Sequence, residues 1–87
     1  MRTAAENQYG ILKLLIDRGA DMNAQAKDGS TAMMNAAWYG RLKVIELLVN
    51  SGADVNARDA KGGTAAFYAS GNGHQNIVEL LEKHMTR

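Results

Sequence analysis

The sequence GADVNA, at residues 52–57, has a close copy 33 residues earlier, where residues 19–24 read GADMNA. Two further segments return with the same spacing. GSTA at 29–32 is matched by GGTA at 62–65. ILKLLI at 11–16 is matched by VIELLV at 44–49 and by IVELLE at 77–82. A fixed period of about 20 to 50 residues is typical of repeat proteins, in which each unit packs mainly on its neighbours.

Within one period, the residue pattern predicts two short helices joined by a tight turn. Thr31 is a candidate N-cap for a first helix that runs to about Tyr39, because its hydroxyl can accept a free backbone N–H of the first helical turn. A second helix is predicted over residues 42–50. Gly40 lies between them, at a position that favours a left-handed residue and so ends the first helix.

The second helix is apolar around most of its circumference, which is too wide for a helix lying on one core. This width predicts a solenoid, in which the second helix is enclosed by its partner helix and by the neighbouring units. Alanines on the first helices allow adjacent units to approach closely. The side chains expected to fill the remaining core volume are Met33, Met34 and Phe67.

These segments together resemble the ankyrin repeat over nearly the whole chain. The matching pieces are Gly29-x-Thr31, Ala36-Ala37-x-x-Gly40, Val44-Ile45-x-Leu47-Leu48, the 52–57 stretch and Gly73-His74. The resemblance implies an all-α ankyrin-repeat solenoid of stacked helix-turn-helix units with projecting β-turn or hairpin loops. It implies a single domain over residues 1–87, divided into a partial repeat at 1–24, a repeat at 25–57 and a C-terminal capping repeat at 58–87.

Two departures from the family pattern predict local differences. Asn7 replaces the helix-ending glycine of the first unit, for which we expect a short first helix of about Thr3 to Asn7. Ala26 stands where Asp59 fits the family pattern, so the first inter-repeat turn is expected to lack an acidic hydrogen-bond acceptor.

The two ends of the repeat array differ in polarity. Gln75 and Glu82 replace the apolar Leu42 and Val49 of the preceding unit, as the outer face of a C-terminal cap requires. The first unit has no such change. We therefore expect an apolar and partly bare N-terminal face, which either packed against further repeats or pairs with a partner, a second copy included. Its residues are Tyr9, Ile11, Leu12, Leu14, Leu15 and Ile16.

Composition excludes several classes of protein. Ten Lys and Arg against nine Asp and Glu give a net charge of +1 with interspersed signs, so no one-signed patch for nucleic acid or a membrane surface is expected. The chain has no cysteine and hence no disulfide. It shows neither a secretory signal nor an apolar run long enough to span a bilayer. The default expectation is a cytoplasmic or nuclear location.

The sequence shows no recognised catalytic, cofactor or metal motif. His74 and His84 are ten residues apart, without a cysteine or a zinc-type spacing between histidines. His74 is interpreted as the structural histidine of the Gly-His pair. We therefore expect no enzyme activity and no cofactor.

The resemblance implies that a protein partner binds at the turn tips and at the concave face made by the first helices. The residues at the corresponding positions are Gln25, Lys27, Asp28, Ser30, Trp38, Tyr39, Arg58, Lys61 and Asn72. Trp38 and Tyr39 are the candidate anchors, because Trp and Tyr are enriched at interface hot spots. The alternative is that Trp38 folds over the neighbouring repeat and covers core. Arg58 and Lys61 either form a basic rim that favours an acidic partner or are simply solvated.

Two hypotheses for function follow. The first is a protein–protein interaction module anchored by Trp38 and Tyr39. The second is a truncated or engineered ankyrin fragment whose main property is folding or self-association through the uncapped N-terminal face.

Overall fold

The computed structural model describes the backbone of residues 4–85 and the side chains of residues 9–84. The described residues form five helices and no strand, which confirms the all-α prediction. No helix in this part of the chain is both long and apolar enough to cross a membrane. The helices are α1 (Ala4–Asp17), α2 (Ala32–Tyr39), α3 (Leu42–Asn50), α4 (Ala65–Gly71) and α5 (Gln75–Met85).

The helix boundaries of the second unit follow the predicted signals. Thr31 caps α2 by accepting a hydrogen bond from the Met34 amide at 3.3 Å. Thr64 does the same for α4, accepting from the Phe67 amide at 3.2 Å. Gly40 ends α2 with φ 73°, in the left-handed region where glycine is favoured.

The helices stack in two layers, as the solenoid prediction requires. The first helices α2 and α4 pack on each other, and the second helices α1, α3 and α5 form the adjoining row. Ile45, Leu48, Ile77 and Leu81 are fully buried along that second row. Alanines allow close packing of the first row, since Ala36, Ala37 and Ala69 have no exposed surface. The core is thus one continuous cluster that crosses the boundary between units.

The expectation of a short first helix in the first unit was wrong. Residues 4–17 form one continuous helix, α1, instead of a helix pair; Thr3 lies outside the described residues. The physical reason is Asn7, which stands where Gly40 and Gly73 adopt positive φ in the later units. None of the described non-glycine residues has a positive φ, so α1 meets no left-handed stop at Asn7 and continues.

The expectation that Phe67 fills core was also wrong, although Met33 and Met34 are buried as expected. Phe67 is 66% exposed, whereas Met34, at the same position one period earlier, is 3% exposed. The third unit covers Met34 through α4, but within residues 4–85 no further unit packs over Phe67. Gln75 and Glu82 are exposed as predicted for a cap, so the polar end face contains one large aromatic side chain.

Within the described side chains, the N-terminal face is apolar and partly bare, as expected. Ile11, Leu14 and Leu15 of α1 are all exposed. Tyr9, Leu12 and Ile16 are half-buried, and the first two pack against the core. A large open groove of about 940 Å³ lies between α1 and α3.

Candidate binding surface

The candidate site is built from the two projecting turns together with α2 and α4, and we call this surface the turn face. Each turn is closed by a backbone hydrogen bond, from Ala26 N to Ser30 O at 2.9 Å and from Asp59 N to Gly63 O at 3.0 Å. A third bond joins the turns, because the Ala60 amide donates to the Asp28 carbonyl at 2.9 Å. The two turns are therefore held side by side.

Asp59 organises the second turn with its carboxylate. The amides of Lys61 and Gly63 donate to its Oδ1 at 3.0 and 2.8 Å, and the Tyr68 hydroxyl donates to its Oδ2. The hydroxyl is the main reason that the pKa of Asp59 is lowered, with the Gly63 amide next. The same hydrogen bond raises the pKa of Tyr68. Tyr68 is thereby tied to the turn that precedes its own helix.

Asp28 supplies an acidic acceptor to the first turn, so the expectation based on Ala26 was wrong. The Ser30 hydroxyl and amide donate to Asp28 Oδ1 at 2.6 and 3.0 Å. These two bonds are the main causes that lower the pKa of Asp28, in that order. Asp28 lies two residues after Ala26, the position that corresponds to Asp59. From there it stabilises the first turn through Ser30.

Trp38 contacts the third unit and still presents much of its surface. Its ring lies 5.7 Å from that of Tyr68 in an edge-to-face arrangement, yet the residue is 50% exposed. Phe67 also meets Tyr68 edge to face, with ring centroids 5.4 Å apart. Tyr39 is exposed beside Trp38. One portion of Trp38 therefore covers the neighbouring repeat, as the alternative interpretation expected, and the other remains open. Its role as an anchor stays a prediction.

Two of the predicted contact residues hold the repeats together through their side-chain amides. Gln25 Nε2 donates to the Gly29 and Arg58 carbonyls at 2.9 and 3.0 Å. Asn72 Nδ2 donates to the Trp38 carbonyl at 3.0 Å. Both side chains bridge units, and whether either also touches a partner stays a prediction.

His74 also bridges the units. Its Nε2 lies 3.2 Å from the Trp38 carbonyl oxygen, and its ring packs so closely that a Cβ on Gly40 would lie 2.7 Å from its Cε1. This geometry fits the interpretation of His74 as a structural residue, the histidine of the Gly-His pair.

Four of the nine predicted contact residues line one cavity of about 300 Å³ between the second and third units: Asp28, Ser30, Trp38 and Lys61. Its lining does not include the other five, which are Gln25, Lys27, Tyr39, Arg58 and Asn72. Tyr68 and Asp59 also line this cavity, but neither was predicted from the sequence as a site residue. The one available signal was the period itself, which places Tyr68 on the same helix position as Asn35, another lining residue.

The side chains of the described site are of the kinds that recognise another molecule. Across the described residues, no group of three or more His, Cys, Asp and Glu is placed to hold a metal ion. The arrangement combines aromatic surface, two carboxylates and an ammonium group on a rigid pair of turns. Such a set of groups suits the binding of another molecule's side chains.

The stacked helix pairs and joined turns define a helical repeat protein with projecting turns along one side. The family model described as ankyrin repeats (three copies) matches residues 1–86, and the chain therefore belongs to the ankyrin repeat family. Ankyrin repeats are generally protein–protein interaction modules and are typically not enzymes. A comparison with curated proteins finds no match.

Proposed function

We propose that this chain is a protein-binding module that holds its partner on the turn face, with Trp38 and Tyr39 as anchors. The observation that carries the proposal is that the Trp38 side chain is 50% exposed, although side chains of the next repeat hold its backbone carbonyl in place. Large exposed aromatics on a rigid surface are the commonest hot spots of protein interfaces.

The rigidity of the site supports this role. The Trp38 carbonyl accepts the Asn72 amide at 3.0 Å and lies 3.2 Å from His74 Nε2, so the C-terminal end of α2 is tied to the third unit. Binding at this rigid surface costs less conformational entropy than binding at a mobile loop, because the surface is already ordered.

The titratable groups of the cavity favour binding over catalysis. Hydrogen bonds lower the pKa of Asp28 and Asp59 and raise the pKa of Tyr68. All three are therefore moved further from neutral pH. Acid–base catalysis works best with a group whose pKa is near the working pH, so these shifts are opposite to those of a catalytic acid or base.

The proposal predicts that the double variant Trp38→Ala/Tyr39→Ala binds its partner at least about 2 kcal/mol more weakly, because two hot-spot aromatics are removed. The measurement is affinity capture from cytosolic and nuclear extracts, the compartments that we propose by default. The captured protein is then titrated against each variant by calorimetry. Glu79→Ala/Lys83→Ala, on the exposed side of α5, is the control and should bind like the wild type.

Helical content should be unchanged in the aromatic double variant. Retained binding would contradict the proposal, and a loss of far-ultraviolet circular dichroism would show that the aromatics are structural.

A second candidate function is self-association through the bare N-terminal face. It is favoured by the exposure of Ile11, Leu14 and Leu15, which lie one period before Val44, Leu47 and Leu48 of the enclosed α3. These exposed side chains occupy repeat positions that are enclosed in α3, and they form an apolar patch of the kind that marks association surfaces.

Sedimentation velocity across a wide range of protein concentration tests the second candidate. The wild type should shift to a heavier species as concentration rises, because association follows mass action. Ile11→Lys/Leu15→Lys should remain monomeric, while Phe67→Lys, at the opposite end of the array, should associate like the wild type. A wild type that stays monomeric throughout would contradict self-association.

A further inference from the structure

The 300 Å³ cavity of the turn face has aromatic and acidic walls next to each other. Trp38 and Tyr68 meet edge to face on one side of it. Asp28 and Asp59, on the two turns, also line it, so the same cavity offers ring surface and negative charge to one guest. Cations bind over aromatic faces, and arginine is found there more often than lysine.

The charge in the cavity is negative overall, because two carboxylates and one ammonium group, that of Lys61, line it. Both carboxylates are ionised at neutral pH, since their hydrogen bonds lower their pKa. They also repel each other, as the Asp59 charge acts to raise the pKa of Asp28. A cationic guest would relieve this repulsion, whereas an acidic guest would add to it.

The two carboxylates differ in how much capacity for hydrogen bonds they retain. Asp59 uses both oxygens, for the amides of Lys61 and Gly63 and for the Tyr68 hydroxyl. Asp28 uses Oδ1 for Ser30, and within the described residues no hydrogen bond reaches its Oδ2. Asp28 is therefore the carboxylate with more capacity left to accept from a guest, since both lone pairs of its Oδ2 are free of the bonds described.

We propose that this cavity receives an arginine side chain of the partner protein, whose guanidinium packs on Trp38 and donates to Asp28. The guanidinium is planar, stays charged and presents several donors, so it can stack on a ring and bond a carboxylate at once. The Lys61 ammonium also lines the cavity, but the two carboxylates outnumber it, so a basic anchor is favoured over the acidic partner of the basic-rim hypothesis drawn from sequence. The proposal rests on the protein-binding function above and adds the chemistry of the anchor.

The test uses dodecapeptides displayed on phage, selected on the wild-type chain and then synthesised. Selected peptides should share an arginine, and replacing it with citrulline, which has nearly the same shape without the charge, should weaken binding at least tenfold. Asp28→Asn should weaken binding at least fivefold. It removes the charge but keeps an oxygen for Ser30, so the turn is preserved.

Asp54→Asn is the matched control, because Asp54 also accepts a hydrogen bond two residues along, from the Asn56 amide at 2.8 Å, but lies outside the cavity lining. It should bind like the wild type. Peptides that need Trp38 but share an acidic or purely apolar anchor would overturn the arginine proposal and leave the protein-binding function standing. Peptides indifferent to Trp38→Ala/Tyr39→Ala, or no selected peptide at all, would count against both.

Discussion

Leu48→Ala is expected to lower the free energy of unfolding by about 3 to 4 kcal/mol, within the range measured for fully buried leucines in protein cores. Leu48 is 0% exposed in α3, and its row of helices packs on both neighbouring units. A chain of 87 residues has a total stability of roughly 4 to 13 kcal/mol. The variant should thus lose a large share of its stability.

Leu15→Ala is the matched control, because Leu15 occupies the same repeat position one period earlier and is 46% exposed. Its loss should cost about 1 kcal/mol or less, since little apolar surface is returned to water. Urea denaturation followed by circular dichroism at low protein concentration measures both variants. Equal losses would mean that α1 is covered in solution, which would contradict the bare N-terminal face of the monomer.

Gly29→Ala is expected to lower the free energy of unfolding by about 3 kcal/mol, because backbone strain and a clash with backbone atoms act together. Gly29 has φ 81°, where a side chain costs about 1 to 2 kcal/mol in strain. Its added Cβ would also lie 2.8 Å from the Ala60 nitrogen and 2.9 Å from the Asp59 Cα. These are backbone atoms, so the two turns would have to separate. The 2.9 Å bond from Ala60 to Asp28 would then weaken.

Gly62→Ala isolates the strain from the clash. Gly62 holds the equivalent position with φ 82°, but no atom of the described residues lies within 4 Å of its added Cβ. Its variant should lose only the strain of about 1 to 2 kcal/mol. Thermal and urea unfolding of the pair give the difference directly. If the two alanines cost the same, contact between the turns does not contribute to stability.

The candidate site was only partly predictable from sequence. The period and the family pattern pointed to Trp38 and Asp28, because both occupy positions on the turn and first helix. Tyr68 and Asp59 were missed. Their hydrogen bond links residues nine apart across a turn and a helix start, and residue type alone does not reveal such a contact.

Local signals in the sequence determined the repeat architecture. Thr31 caps α2 and Gly40 ends it, since each acts through its own backbone or its near neighbours. The missing glycine at Asn7 was visible in the sequence too, but the tertiary structure showed its consequence, the single helix α1.

The tertiary structure alone decided which of several equivalent residues are buried. Met34 and Phe67, like Leu48 and Leu15, share a repeat position and an apolar character but differ widely in exposure. The physical reason is that a repeat buries its side chains against adjacent units, so burial depends on whether a neighbour is present. For the same reason Gly29 is crowded and Gly62 is not. The sequence determined the repeating unit, and the stacking of units determined its core and its open surfaces.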